Sequence, residues 1–389
     1  MDLALTESQE MLRTSARSFV EREAPTHTIV ALQRETSSLV PVLWRKAVDV
    51  GWPGILVPAE YGGSESTLTD AAVLFEELGR GPVPGPFWSS GVLGALIVLE
   101  AASAQQRNAI LPAVARGEII LSVAITDPNT SWGPQAVTLR PQRLGDRFRL
   151  DGTKLFVSDA TAATHLIVAV RTGDGPADVS LLMVDARARG VRTRRLPGFL
   201  SWQDEVTLEG VEVAATDLLG GRESQGWAQL ERALLRALPV LCSFMVGGCQ
   251  AVFDLSVKHS QQRVQFGVPI GKFQRVQDHI IRLVNHLDGA RWTTAEALWK
   301  LDTGRPAADA VHLAKAVASE GYLEACNAAH EVHAGQGSLT EYGLAAHTQM
   351  SRTLFAYLGD PRWHKRRMLD TLIGALPAVE FGGGLLPHR

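Results

Sequence analysis

Apolar side chains recur at helical spacing up to about residue 118, at alternate positions from about 118 to 212, and at helical spacing again after about 226. One segment cannot satisfy both periods. A stripe repeating every 3.6 residues belongs on a helix, and strict alternation belongs on a strand. The sequence therefore predicts an α+β chain in three parts. These are an N-terminal helical bundle over 1–118, a middle antiparallel β domain over 119–222 and a C-terminal four-helix bundle over 223–389. A chain of 389 residues exceeds the usual size of one hydrophobic core, so two or three subdomains are expected from length as well.

Local punctuation supports the division. Thr6 to Gln9 and Ser103 to Gln106 are capping boxes, each followed by an apolar stripe. Further N-terminal helices are expected over 42–50, stopping at Gly51, and over 69–78, ending at Gly79. In the middle part, short runs rich in Val, Ile, Leu and Phe cover 119–125, 137–140, 148–150, 154–157, 165–170, 180–184 and 206–213. Asp151-Gly152 reads as a hairpin turn between two of them. The last part offers four helical stretches, 227–261, 276–303, 307–335 and 344–374, with Pro239 expected to bend the first.

Charged residues make up 20% of the chain and the formal net charge is -3, so the electrostatic footprint of a nucleic-acid binder is missing. Small molecules or other protein surfaces are the expected partners. Cys242, Cys249 and Cys326 lie in apolar runs without CxxC spacing, implying neither a metal site nor a disulfide framework and fitting a cytoplasmic location. Asp2, Glu7 and Glu10 precede any apolar run, unlike a secretory signal. The uncharged stretch 237–253 is shorter than a membrane span needs and contains Pro239 and a Gly-Gly pair, so a helix buried within a bundle is expected and no membrane is implied.

One stretch reads as chemistry. Residues 263–278, RVQFGVPIGKFQRVQD, gather an arginine, two glycine turns and three glutamines between two helical segments. Arginine matches phosphate oxygens in a bidentate fork, glutamine amides add neutral donors, and glycine lets the backbone approach a ligand. An ordinary helix–helix loop with a solvated arginine fits the same residues. The string RxQFGxPIGxFQxVQ resembles the signature loop of the acyl-CoA dehydrogenase flavoprotein family. Pro58-Ala59-Glu60-Tyr61-Gly62-Gly63 resembles that family's PxxYGG loop at the matching place, although alone it is only a Gly-Gly turn.

The resemblance implies the acyl-CoA dehydrogenase fold, FAD as cofactor, an acyl-CoA substrate and a tetrameric oligomer. It implies that Arg263, Gln265, Phe266 and Gln274 reach across a subunit interface to a neighbour's FAD, with Glu331 and Gly335, from a run similar to QxxGGxG, at its adenosine end. Thr126 and Ser158 fall at positions that contact the flavin ring in the family. There the chain departs from the pattern: Trp132 stands for a small serine, Phe156 for tryptophan and Ala160 for glycine.

In the family a glutamate removes the α-proton of the thioester, a weak acid for which a positioned base is worth roughly 10² to 10⁴ in rate. One usual seat corresponds to Leu358 in Tyr357-Leu358-Gly359-Asp360, and the other to Ala237. Neither can accept a proton, so no catalytic residue is assigned. Asp360 and His364 are the candidates close in sequence to the usual base, with Asp360 a substitute on position alone, or else a turn residue before Pro361. Glu231 is nearly two helical turns from Ala237 and expected on another face. His279 and His333 receive no role.

An intact arm beside an empty base seat is what one subunit of a heteromeric α2β2 member would show. The resemblance then implies a homologous catalytic partner subunit and, by analogy, a bulky acyl group such as a steroid side chain. Two alternatives stay open: a self-sufficient homotetramer with an unusual base, and a scaffold without FAD.

Overall fold

A computed structural model describes residues 4–34, 39–198 and 203–374; Asp2 and residues 375–389 lie outside these. The N-terminal part contains α1 (Glu7–Glu23), α2 (Thr26–Arg34), α3 (Leu39–Asp49), α4 (Leu68–Arg80), α5 (Ala95–Ala101) and α6 (Ala104–Ala115). Both expected capping boxes form, at Thr6 and Ser103, and a third joins Thr67 to Asp70 at the start of α4. The helices α2 and α5, and a π-helical turn over Ser89–Gly94, were not foreseen.

Gly79 does not end its helix, which runs on to Arg80. Its role is close approach. A Cβ on Gly79 would sit 1.9 Å from the Phe244 carbonyl oxygen, and one on Gly247 would sit 1.8 Å from that of Glu76. Two helices meet backbone to backbone there, and helix-stop chemistry and helix-contact chemistry use the same residue.

The middle part comprises β1 (Leu121–Ala124), β2 (Gln142–Leu144), β3 (Arg147–Ser158), β4 (His165–Arg171), β5 (Val179–Asp185), β6 (Val191–Arg195) and β7 (Gln203–Ala214). They form two sheets, ordered β1-β4-β5 and β2-β3-β7-β6. The expectation of a wholly antiparallel domain needs correcting, because β1 pairs with β4 in parallel. The strands β2 and β3 lie between them in sequence, enough chain for the crossover a parallel pair requires.

Asp151-Gly152 is no hairpin turn either. It lies inside β3 at a register shift between Leu150 and Gly152, and the Asp151 carboxylate accepts the Gly210 N–H at 2.7 Å. The reversal falls at Gly145-Asp146, between the paired Leu144 and Arg147. Residues 137–140 form no strand, and β6 was missed.

Strand β4 explains why the two cores touch. Ile167 and Ala169 face the helical core, while Leu166, Val168 and Val170 face the interior between the sheets. Buried on both faces, it reads as a continuous apolar run.

The C-terminal part holds α7 (Gly226–Gln262), a short hairpin of β8 (Val264–Gln265) and β9 (Val268–Pro269), then α8 (Gln274–Asp302), α9 (Ala308–His333), α10 (Leu344–Phe355) and α11 (Pro361–Gly374). By length and composition α7 could cross a membrane, but 67% of its most apolar window is buried inside the fold. The stretch 344–374 is two helices rather than one, so the described residues of this part hold five. The break at 356–360 forms the floor of the candidate site.

Candidate functional site

The loop after β1, the end of β3 and the break between α10 and α11 surround one cleft of about 530 Å³. That lies in the range of small-molecule sites. Thr126, Ser131, Trp132 and Phe156 line one side; Tyr357, Leu358, Gly359, Asp360 and Trp363 line the other. Of the lining residues Arg352 is the cation and Asp360 the anion. Arg352, on α10, was not singled out from sequence, where it is one arginine in a helical run.

The loop after β1 is held from beneath by a buried ion pair. Lys154 Nζ lies 2.8 Å from Asp127 Oδ1 and donates to the Ile125 carbonyl at 3.1 Å, while Asp127 Oδ2 accepts the Leu139 N–H at 3.2 Å. Burial costs such a pair much of its attraction, so its contribution is to fix the loop rather than to add net stability. A lysine at the head of the otherwise apolar run 154–157 was the signal for it. The Thr126 carbonyl accepts the Leu155 N–H at 2.8 Å, tying the loop to β3.

Ser158 lies just behind the cleft. It lines a narrow apolar cavity of about 50 Å³ with Trp88, Asp159 and Tyr357, and its carbonyl accepts the Ser122 hydroxyl at 2.5 Å. Asp159 was missed by the sequence reading. Its Oδ2 accepts the Ser89 hydroxyl at 2.8 Å, and burial pushes its pKa up to about 7.

Backbone strain marks these places independently of any motif. Eight non-glycine residues among those described have positive φ, and Thr130, Phe156, Asp159, Phe266, Ala334 and Leu358 all fall in segments named above. Each costs roughly 1 to 3 kcal/mol and persists only where surrounding contacts over-determine it.

At Leu358 those contacts are visible. His364 Nε2 lies 3.2 Å from the Leu358 carbonyl oxygen, and Lys315 Nζ donates to the Gly359 carbonyl at 3.3 Å and to Ser319 Oγ at 2.8 Å. A carbonyl only accepts, so His364 carries its proton on Nε2, and its Nδ1 accepts from His312 Nδ1–H at 2.9 Å. Burial lowers the pKa of His364 to about 2, of His312 to about 4 and of Lys315 to about 8. Both imidazoles are neutral at pH 7.

The base seats are apolar in space as in sequence. The Leu358 side chain is 6% exposed and Ala237 is fully buried within α7. Asp360 Oδ1 accepts the Trp363 N–H at 2.7 Å, capping α11. Glu231 Oε1 accepts from Arg367 at 2.5 Å. Ala237 does not share the small cavity that Glu231 lines, but Leu358 and Trp363 do, a proximity the sequence reading did not foresee. Helix α7 and the 356–360 break converge there, which spacing along one helix does not reveal.

The arm residues are elsewhere. Arg263 ends α7, about 39 Å along the helix from Ala237 at about 1.5 Å per residue. Arg263, Gln265, Phe266 and Gln274 are all exposed, and none lines the cleft. Phe266 is 93% exposed and touches Phe273 edge to face at 6.1 Å. Glu331 is exposed near the end of α9. A Cβ on Gly335 would meet nothing within 4 Å, so no packing inside this chain calls for glycine there.

The predicted residues thus separate into a cleft group, Thr126, Leu358 and Asp360 with Ser158 behind it, and an outward group. For FAD this is a partial fit. The cleft has room for a flat ring bordered by strained loops, whereas the arginine and glutamines suited to its phosphates are exposed and lie outside it. Among the described residues no cluster of His, Cys, Asp and Glu could hold a metal ion.

Known proteins share this organisation. Residues 6–118, 122–211 and 224–372 match the acyl-CoA dehydrogenase N-terminal, middle and C-terminal domain families. The chain is 30% identical over 353 residues to a probable acyl-CoA dehydrogenase, YngJ, of Bacillus subtilis, covering 88% of this chain and 92% of that protein. The glutaryl-coenzyme A dehydrogenase structure with glutaryl-CoA superposes with a TM-score of 0.89 at 25% identity, covering 97% of this chain and 98% of that one. A chain of the ChsE4-ChsE5 complex from Mycobacterium tuberculosis shares the fold, with a TM-score of 0.86 at 22% identity over 97% of this chain and all of the other. With three domains in the same order and a relative matched along nearly its whole length, this chain belongs to the acyl-CoA dehydrogenase family.

Proposed function

We propose that this chain is the subunit of a heteromeric FAD-dependent acyl-CoA dehydrogenase that completes a partner's cofactor site and brings no proton acceptor of its own. The observation that carries the reading is the pairing of two apolar residues at the expected base seats, Leu358 and Ala237, with an arm whose Arg263, Gln265 and Gln274 are all exposed and outside the chain's own cleft. Arg263 would hold the partner's FAD by its phosphates, with Gln265 and Gln274 as neutral donors. Glu331 and Gly335 would meet its adenosine end. When bound, the flavin accepts the β-hydrogen as hydride; a homologous partner subunit supplies the base.

The fold likeness to one chain of a two-protein complex favours a heterotetramer. A bulky, steroid-like acyl group is the substrate class we assign by analogy. Three buried free thiols are in keeping with a cytoplasmic location.

The test is co-expression with a glutamate-bearing homologue, counting flavins per heterodimer. One flavin is expected. Arg263→Ala in that complex should weaken FAD binding by about 10- to 100-fold, the worth of a charged hydrogen bond to phosphate. Unchanged flavin content would refute the assignment.

A second reading has support from the strain retained at Phe156, Asp159 and Leu358 around an open cleft. It makes the chain a self-sufficient homotetramer. A yellow chain, purified alone and bleached by acyl-CoA, would establish it. A complex whose only flavin site needs no residue of this chain would leave the third option, a scaffold without FAD.

A further inference from the structure

Trp132, Leu358 and Trp363 line two spaces at once: the cleft of about 530 Å³ and a cavity of about 20 Å³ behind it. They are the wall between the two. On the far side lie Trp227, Glu231, His312 and leucines of α7. The inner space has room for about one water.

The wall is built of interlocked rings. Trp132 meets Trp363 edge to face at 6.2 Å and 89°, and Trp227 at 6.4 Å and 64°. Trp363 is itself flanked by His312 at 5.6 Å and by the Arg367 guanidinium 5.8 Å from its ring centre. Edge-to-face pairs of this kind add roughly 0.5 to 1.5 kcal/mol each beyond burial. Trp227 and Trp363 sit on helices, whereas Trp132 comes from a loop. That loop is pinned by Asn129, which donates to the Ala136 carbonyl at 2.8 Å and accepts the Ser131 N–H at 3.0 Å.

We propose that Trp132 sets the depth of this chain's own cleft, and that the indole wall keeps an acyl thioester out of it and away from the Glu231 carboxylate behind. The proposal rests on the family reading of the substrate as an acyl-CoA. A carboxylate must come within hydrogen-bond reach of the proton it removes. Glu231 is the carboxylate on the inner cavity, separated from the cleft by Trp132, Leu358 and Trp363 and paired with Arg367. Exclusion therefore has two layers: the acyl chain finds no depth, and the acid meets no substrate. Replacing Trp132 by serine removes one whole indole from the wall and joins the two spaces.

The test uses the full chain alone, titrated in a calorimeter with octanoyl-CoA and with coenzyme A as separate probes. The wild-type chain should bind octanoyl-CoA no more tightly than coenzyme A. Trp132→Ser should prefer octanoyl-CoA by about ten-fold or more, which burial of about two additional CH2 groups would supply. Trp132→Phe keeps an apolar ring in place, guards against a folding defect in the serine variant, and should show a smaller preference in the same direction. A wild-type chain that already prefers octanoyl-CoA ten-fold overturns the proposal. So does a pair of variants, folded by their melting temperatures, that show no preference. Neither result touches the flavin count of the complex, so this inference and the proposed function fail separately.

Discussion

The arm at 263–274 and the turn at 356–360 are opposite solutions to holding an awkward backbone. Both contain a non-glycine residue with positive φ, Phe266 in one and Leu358 in the other. The turn is over-determined from within, since two carbonyls are gripped by His364 and Lys315, both fully buried. The arm has little of this. Gln277 Nε2 reaches the Gly271 carbonyl at 2.9 Å, but Phe266 is almost wholly in solvent and Arg263 is exposed. Strain with an internal brace serves this chain's own architecture, whereas strain and aromatic surface left in the open suit contacts that another subunit must supply.

The comparison can be broken most sharply at His364. His364→Ala leaves the Leu358 carbonyl without its donor, strands His312 Nδ1–H, and opens a cavity. It should destabilise the chain by about 3 to 4 kcal/mol, read as a fall in urea midpoint at unchanged m-value. A loss below about 1 kcal/mol would mean that the turn needs no brace.

Next in size is Asp159, beside Tyr357 on the inner side. Its carboxyl accepts from Ser89 and is buried near the Asp204 carboxylate and the Arg195 guanidinium. Because burial raises the folded pKa to about 7 from the ordinary carboxyl value of 3.8, the folded state keeps a proton that the unfolded state has lost. Stability from this group is therefore greatest at acid pH and falls as pH rises from about 4 through 7. Asp159→Asn should stabilise the chain at pH 8 by about 2 kcal/mol relative to its effect at pH 4. A melting-temperature profile parallel to wild type would sink this account.

The smallest effect is expected on the arm. Phe266→Ala should change the stability of the isolated chain by less than about 0.5 kcal/mol. In the complex the same substitution should weaken subunit association, measured by dilution on a sizing column. A large loss of stability in the chain alone would show that the arm packs on its own subunit and erase the contrast.

Much of this was legible before any coordinates. The capping boxes at Thr6 and Ser103, the α-β-α order and the arm are local features, carried by residues within a few positions of one another. The apolar identity of Leu358 and Ala237 was legible too, because a side chain's identity needs no geometry. Misreadings arose where one residue type serves two purposes. Gly79 looked like a helix stop and is a helix contact; Asp151-Gly152 looked like a turn and is a bulge. Asp159, Lys315 and the pairing of His364 with His312 carried no readable signal, because their significance is what lies across the fold from them.

The sequence by itself settled the identity of each side chain and the period of each segment, and from these came the family, the domain order and the apolar character of Leu358 and Ala237. Only the tertiary structure decided which residues share a space. It set Glu231 behind Trp132, left Arg263 exposed outside the cleft, and turned the break at 356–360 into a braced floor. The physical reason is range. Helical and strand periods and caps act over a few residues, while burial, ring packing and pKa shifts depend on neighbours that the chain brings together from more than a hundred positions away.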